Sequence, residues 1–434
     1  MEKFTIFWFR RDLRINDNKG FYEALKGSNK VIPIFIYDNN ILDKLDKEDP
    51  RLTFIQNALG GINNAMKRNR CSVGIYKGAP KAIFNRIIQE FPIEHVIANH
   101  DYEPYALQRD LGIGNLLKEN GIKFTTFKDQ VVFEKNEVVK DDGKPYVVYT
   151  PYCRKWLAKY KQEGIKHYPS EDHLDHLYNE QPLPQISLEE MGFKNSELSP
   201  KEFRFDTDLI DQYEETRNFP ATDNTSRIGV YLRFGTQSVR KFVAQSASRE
   251  NPTFLKELIW REFFMQILWH FPHTQNQSFK KQYDHISWRN NEEDFEKWCK
   301  GETGYPLVDA GMRQLNKTGF MHNRVRMLVA SFLCKHLLID WRWGEAYFAE
   351  KLFDYEMASN VGNWQWAAGS GVDAAPYFRI FNPHEQIKKF DKKLVYVNKW
   401  IDDLSEPSYP DPIVEHKMAR ERCLKEYKSG LNSA

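Results

Sequence analysis

From residue 3 to about 127, short runs of β-branched and aromatic residues alternate with longer stretches whose apolar positions recur every three or four residues. The runs 4–9, 31–37, 73–76, 95–99 and 123–127 read as strands, and 53–67, 80–89 and 104–118 as helices. Pro80 and Pro104 suit a first helical turn, where the missing N–H would have no partner in any case. This rhythm predicts βαβ units around a parallel sheet, a Rossmann-like N-terminal α/β domain over 1–130. No G-x-G-x-x-G follows the first strand, so a dinucleotide need not sit there. Residues 131–199, rich in Pro, Lys, Asp, Glu and His, break the pattern and are expected to form a long, largely irregular surface connector. After Pro200 helical spacing dominates, at 239–246, 253–269, 309–315, 323–338 and 345–352, so 200–434 is expected to be an all-helical domain.

The length, 434 residues, agrees with two domains, because single cores stop growing near about 250–300 residues. Nine of the 11 tryptophans fall between Trp260 and Trp400. Taken singly, each reads as a core filler; clustered, they also suit base stacking or electron transfer. A net charge of +2 is too mild to announce a nucleic-acid binder, so the local distribution of charge has to carry that argument. Five scattered cysteines without a Cys-x-x-Cys pair fit a reducing cytoplasm and neither a disulfide framework nor an iron–sulfur cluster, and no metal is expected. No apolar stretch approaches the ~20 residues of a membrane span. The apolar start followed by Arg10, Arg11 and Arg14 reads as a strand and not as a signal peptide. A cytoplasmic protein without a membrane partner is expected.

The stretch Asn360-Val361-Gly362-Asn363-Trp364-Gln365-Trp366-Ala367-Ala368-Gly369, followed by Asp373-Ala374-Ala375-Pro376-Tyr377-Phe378-Arg379 and on to Pro383, resembles the flavin-binding signature of photolyases and cryptochromes. Four further segments match in the same order. They are Trp8 to Arg14, Thr225-Ser226-Arg227, Glu257 to Phe263, and Gly304-Tyr305-Pro306 through Met321-His322-Asn323-Arg324. The resemblance covers nearly the whole chain and is closest to class I cyclobutane pyrimidine dimer photolyases.

It implies a reduced, non-covalent FAD in the helical half. Thr225 and Ser226, with Arg227, offer hydroxyls and N–H groups suited to a pyrophosphate, and read alone they would be a helix cap. Gly229 stands where the family usually has serine, which leaves its backbone N–H. Tyr213 and Arg261 match further FAD contacts. Arg326 and Asp354 resemble a pair beside the flavin ring, though any buried interhelical ion pair would look the same. Glu356 replaces a second aspartate. Asn360 is expected to face flavin N5, where a neutral amide tolerates a reduced anionic flavin, whereas the aspartate of plant cryptochromes can donate a proton and favour the neutral semiquinone.

For the substrate, Glu257 matches an acid that hydrogen-bonds the dimer, and Trp260 and Trp366 match its two aromatic walls. Asn323 and Met327 occupy the positions where pyrimidine (6-4) repair enzymes carry histidines, and Asn323 also matches a cofactor neighbour. Trp364, Trp341 and Trp288 match a three-tryptophan electron relay. Arg217, Arg324, Arg379 and Lys389 match a DNA-binding face, solvated surface charges being the ordinary alternative. The implied function is light-driven repair of pyrimidine dimers in DNA by a carbon–carbon lyase, with the lesion flipped out of the duplex. A cryptochrome-type receptor, a (6-4) photolyase, and a nucleotide-binding protein without photochemistry are the competing readings. The chain stops soon after Trp400, short for a signalling tail. Tyr105-Ala106 replaces the Asn-Glu pair of folate users, which disfavours folate as second chromophore and leaves a deazaflavin, flavin mononucleotide or an empty site. A monomer is expected.

Overall fold

A computed structural model describes residues 2–432. The chain gathers into two compact units. The first contains the residues up to Glu137, Ala158–Ser199 and Ile228–Gln245; the second contains Val138–Leu157, Pro200–Arg227 and the residues from Ser246 on.

Five parallel strands make up the sheet of the first unit: β1 (Phe4–Phe9), β2 (Lys30–Asp38), β3 (Gly74–Gly78), β4 (Ile93–Asn99) and β5 (Lys123–Phe127), in the order β3-β2-β1-β4-β5. Central β1 is buried along its whole length, which is why it reads as a continuous apolar run without alternation. Ile6 pairs with Ile32 on one side and Val96 on the other. Helices Pro50–Met66, Pro80–Glu90 and Pro104–Glu119 all open on proline. The first starts three residues earlier than its apolar spacing suggests, because Asp49 caps it by accepting from Arg51 N at 2.9 Å.

The segment Ile228–Gln245, expected in the helical domain, packs into this first unit through buried charge. Asp129 accepts from Arg14 Nη2 at 2.7 Å and from Arg240 Nη2 at 2.9 Å, and Arg240 Nε reaches Asp17 at 2.9 Å. Gly235 holds φ +65° against the backbone of Arg11, where a Cβ would overlap the carbonyl, so only glycine allows this approach.

The second unit is helical. Thr253–His270 is apolar on nearly every side, as suits a central helix. Residues 323–338, expected as one helix, form Asn323–Ser331 and then a π-helical turn, Phe332–His336. The signature segment forms a helix, Met357–Ala368, that apolar spacing does not announce. Its Asn and Gly content is unfavourable, and packing compensates. Gly362 receives Phe264, and Gly344 of the Trp341–Lys351 helix receives the Trp364 ring, at contacts any Cβ would block.

The irregular connector is corrected by the helix Tyr149–Glu163 and the short 3-10 segment Ser170–His176. Tyr149, Tyr152, Cys153 and Trp156 are buried at helical spacing, a stripe visible in the sequence but masked by the surrounding charge. Among the described residues no helix is long and apolar enough to cross a membrane.

Candidate active site

Three elements of the second unit, the helices Asn323–Ser331, Trp341–Lys351 and Met357–Ala368, surround a cavity of about 600 Å³ counted to its open mouth. Asn323, Arg326 and Met327 line it, at i, i+3 and i+4 of one helix, and so do Asp354, Glu356, Asn360, Trp364 and Trp366. Eight expected residues therefore meet in one space.

Arg326 Nη2 donates to both carboxylate oxygens of Asp354, at 3.1 and 2.9 Å, and Nε donates to the Met321 carbonyl at 2.7 Å. The cation is thus aimed from two sides. Asn360 Nδ2 donates to the side chain of Glu345 at 2.9 Å and to its carbonyl at 3.1 Å, which fixes the rotation of the amide. Glu345 escaped the sequence reading because a glutamate within Trp-Arg-Trp-Gly-Glu carries no motif of its own. Burial raises its pKa, against the hydrogen bonds from Asn360 and Tyr355. Ser359 Oγ donates to Glu356 at 3.1 Å, and Arg261 Nε lies 4.0 Å from the same carboxylate.

Tyr213, Thr225, Ser226, Arg227 and Arg261 lie outside the cavity lining. Tyr213 packs edge-on against Phe254 at 4.9 Å. The Ser226 carbonyl accepts from Arg204 N at 2.8 Å. Arg227 takes a left-handed φ of 60°, pairs with Asp223 and lays its guanidinium 3.4 Å over Phe320. Gly229 opens the helix Gly229–Arg233 in the first unit.

Trp366 lines the cavity and Trp260 does not. Tyr149 covers one face of Trp260, with ring centroids 3.6 Å apart and planes 7° from parallel. Tyr149 is itself held by its hydroxyl, donating to the Lys256 carbonyl at 2.7 Å, and by its N–H, donating to Asp373 at 3.2 Å. It went unnoticed because it falls in the stretch taken as connector. Glu257 accepts from Arg217 Nη1 at 2.6 Å, and burial raises its pKa against the pull of that arginine.

The expected basic residues share one face. Burial lowers the pKa of Arg324, and the charges of Arg217 and Arg379 lower it further. Arg324 donates to Asn218 at 2.5 Å and sits 4.6 Å over Phe390, which also carries Lys389 at 5.3 Å.

Trp364 and Trp341 are buried in one hydrophobic cluster, with half-buried Trp288 packed against it. Trp288 meets Tyr427 at 5.8 Å, and Trp364 meets Phe348 at 5.0 Å and Trp298 at 6.1 Å.

His322 caps the Asn323–Ser331 helix, its Nδ1 accepting from Arg324 N at 3.2 Å. Burial first, then Arg227, Arg326 and Arg324, push its pKa down to about 4. Below the ordinary histidine value of about 6.5 the unfolded chain takes up a proton that the folded chain refuses. Stability therefore falls as pH drops from about 6.5 to about 4, by at most about 3.5 kcal/mol at about 1.4 kcal/mol per pH unit. In H322N, which keeps a capping acceptor but cannot titrate, urea midpoints measured across this window should decline less steeply than in the parent.

Whether FAD fits can be tested on the protein alone. The Thr225 hydroxyl is buried without a protein partner, at the position expected to grip a pyrophosphate. The cavity offers a fixed cation at Arg326 and a fixed neutral amide at Asn360. These groups suit an anionic, hydrogen-bonding ring system bearing a phosphate tail.

Comparison with known proteins agrees. Residues 254–408 match the model of the FAD binding domain of DNA photolyase, and residues 5–171 match that of DNA photolyase. The chain is a flavoprotein built on an α/β domain and a helical FAD-binding domain. It belongs to the DNA photolyase family. The deoxyribodipyrimidine photo-lyase of Halobacterium salinarum is 34% identical over 96% of this chain and 98% of its own length, and that of Escherichia coli 32% over 98% of each. Among solved structures, a bacterial class III photolyase from Agrobacterium tumefaciens superposes with a TM-score of 0.84 at 31% identity, over 100% of this chain and 98% of that one. An archaeal photolyase from Sulfolobus tokodaii with two FAD molecules gives 0.84 at 32%, over 98% and 100%.

Proposed function

We propose that the protein splits cyclobutane pyrimidine dimers in DNA when illuminated, as a cytoplasmic monomer holding one reduced FAD in the helical unit. The observation that carries this reading is the convergence of Asn323, Met327 and Asn360 with the Arg326–Asp354 pair on one cavity. Bound FAD would supply the light absorption and the electron that opens the cyclobutane ring and then returns. Arg326 orients Asp354 and offers positive charge to a reduced ring. The amide of Asn360, anchored on Glu345, presents no acidic proton to the cofactor. Thr225, Ser226, Arg227, Tyr213, Arg261 and Glu356 would hold the rest of the cofactor.

The lesion, once extruded, rests against Trp260 and Trp366. Tyr149 occupies one face of Trp260, so only the remaining surface of that ring is offered to a base. Glu257, with its raised pKa, hydrogen-bonds the dimer, and Arg217, Arg324, Arg379 and Lys389 neutralise flanking phosphates. Trp364, Trp341 and Trp288 would pass an electron from an external reductant at the surface towards an oxidised flavin. Neither Asn323 nor Met327 can deliver the proton a (6-4) lesion requires. For a second chromophore the pair Tyr105-Ala106, with Tyr105 engaging Asp38 and Asn40 where folate users have Asn-Glu, disfavours a folate.

Illumination of the reduced holoprotein with dimer-containing oligothymidine should remove the dimer, followed by chromatography, and leave an oligonucleotide with a (6-4) lesion untouched. Intact dimer in the presence of bound reduced flavin would instead favour a receptor.

A further inference from the structure

Lys335 is almost completely buried, at 1% exposure, within the π-helical turn Phe332–His336. An ammonium taken out of water is expensive to keep unless something fixed compensates it. Its Nζ donates across 44 residues of chain to the backbone carbonyl of Arg379, at 2.8 Å. The thiols of Cys334 and Cys423 beside it stay protonated, since burial raises both, so no counter-charge comes from them. Burial pushes Lys335 itself down to about 8.

The segment it grips is a turn with an unusual outer face. Arg379 N donates to the Pro376 carbonyl at 2.9 Å, which closes residues 376–379. Tyr377 lies nearly parallel to Tyr427 of the His416–Asn432 helix, 5.8 Å away at 15°. Both anchors pull inward, while between them Phe378 is 61% exposed and the Arg379 side chain is exposed beside Arg324. The turn thus presents an exposed phenylalanine next to an exposed arginine while being pinned from behind.

We infer that Lys335 is a positioning residue for DNA binding: through the Arg379 carbonyl it fixes the 376–379 turn so that Phe378 and Arg379 meet DNA already ordered. This rests on the DNA-repair reading above. Lys335 neither lines the cavity nor reaches solvent, so its effect belongs to association, where a preorganised turn avoids the entropy of ordering. Splitting of dimer already bound should not depend on it.

The test compares the flavin-loaded parent, K335M, R379A and K335M/R379A for binding to a duplex containing one dimer, and for dimer loss per photon at saturating duplex. K335M, which keeps the unbranched stem and removes the donor, should raise Kd about tenfold and leave repair at saturation unchanged. The double variant should lose clearly less than the product of the two single losses, since both act on one turn. Parental affinity in K335M, multiplying losses in the double, or slowed repair at saturation would each overturn the inference. Should K335M fail to retain flavin, K335L, which also removes the donor, enters the same cycle with the same expected losses; failure of both makes Lys335 a stability residue and also overturns it. Unchanged affinity in R379A would strike instead at the DNA face itself, which separates the two readings.

Discussion

R326L is expected to lose bound flavin and, separately, to lose stability. The guanidinium is committed in three directions, to two oxygens of Asp354 and one backbone carbonyl. Removing it leaves the carboxylate beside an apolar wall with no cation. Breaking a buried pair from one side costs about 3–5 kcal/mol. With side chains 24% and 18% exposed, residual hydration should reduce this to about 2–4 kcal/mol here. The cavity meanwhile loses the arginine that lines it, and the flavin-to-protein absorbance ratio after gel filtration should fall at least about tenfold, equivalent to about 1.4 kcal/mol. The double variant R326L/D354L separates the effects. With no stranded charge it should recover much of the urea midpoint, since an apolar replacement of a buried pair is often neutral, while remaining poor in flavin. An R326L protein that kept its yellow colour and its midpoint would show that this pair serves neither purpose.

How far the sequence carried the site depended on what kind of signal each residue leaves. Arg326, Met327 and Asn360 are legible because they match positions of a known family, and the structure then brings them onto one cavity, Arg326 and Met327 at i+3 and i+4 from Asn323 on one helix face. Glu345 and Tyr149 act on those residues from elsewhere, through an amide rotation and a ring stack, and no spacing along the chain encodes either. The strands were legible for the opposite reason: β1 is buried on both faces, so its apolar run needs no partner to be recognised. The domain division was not, since Ile228–Gln245 follows a helical pattern yet belongs with the sheet. What draws it there is Arg240 meeting Asp17 and Asp129, residues more than a hundred positions away in sequence. The Met357–Ala368 helix likewise exists because Gly344 and Gly362 permit contacts that local propensity opposes.

That same charge network sets the second large effect. Asp129 is 1% exposed and holds Arg14 and Arg240 together, with a further bond from Lys19 N at 3.1 Å. Burial alone would raise its pKa, but the two arginines overrule it and the carboxyl is held below its ordinary value. In D129A the loss is unequal. Arg240 keeps Asp17, whereas Arg14 keeps backbone carbonyls alone, those of Asn16, Gly235 and Asp17, at 3.0, 3.0 and 2.7 Å. A guanidinium left buried without a counter-charge should destabilise the first unit by about 3–5 kcal/mol. The reading is the urea midpoint followed by far-ultraviolet circular dichroism. D129A/R14M should regain part of the loss, because the unpaired cation leaves with its partner. The pH dependence has a defined sign. A depressed carboxyl stabilises the fold fully above its ordinary value near about 3.9, and that contribution drains as pH falls through the lower folded value. The gap between parent and D129A should therefore be widest near neutrality and shrink only in strong acid; a gap that stayed constant there would mean that lost packing, and not charge, accounts for it.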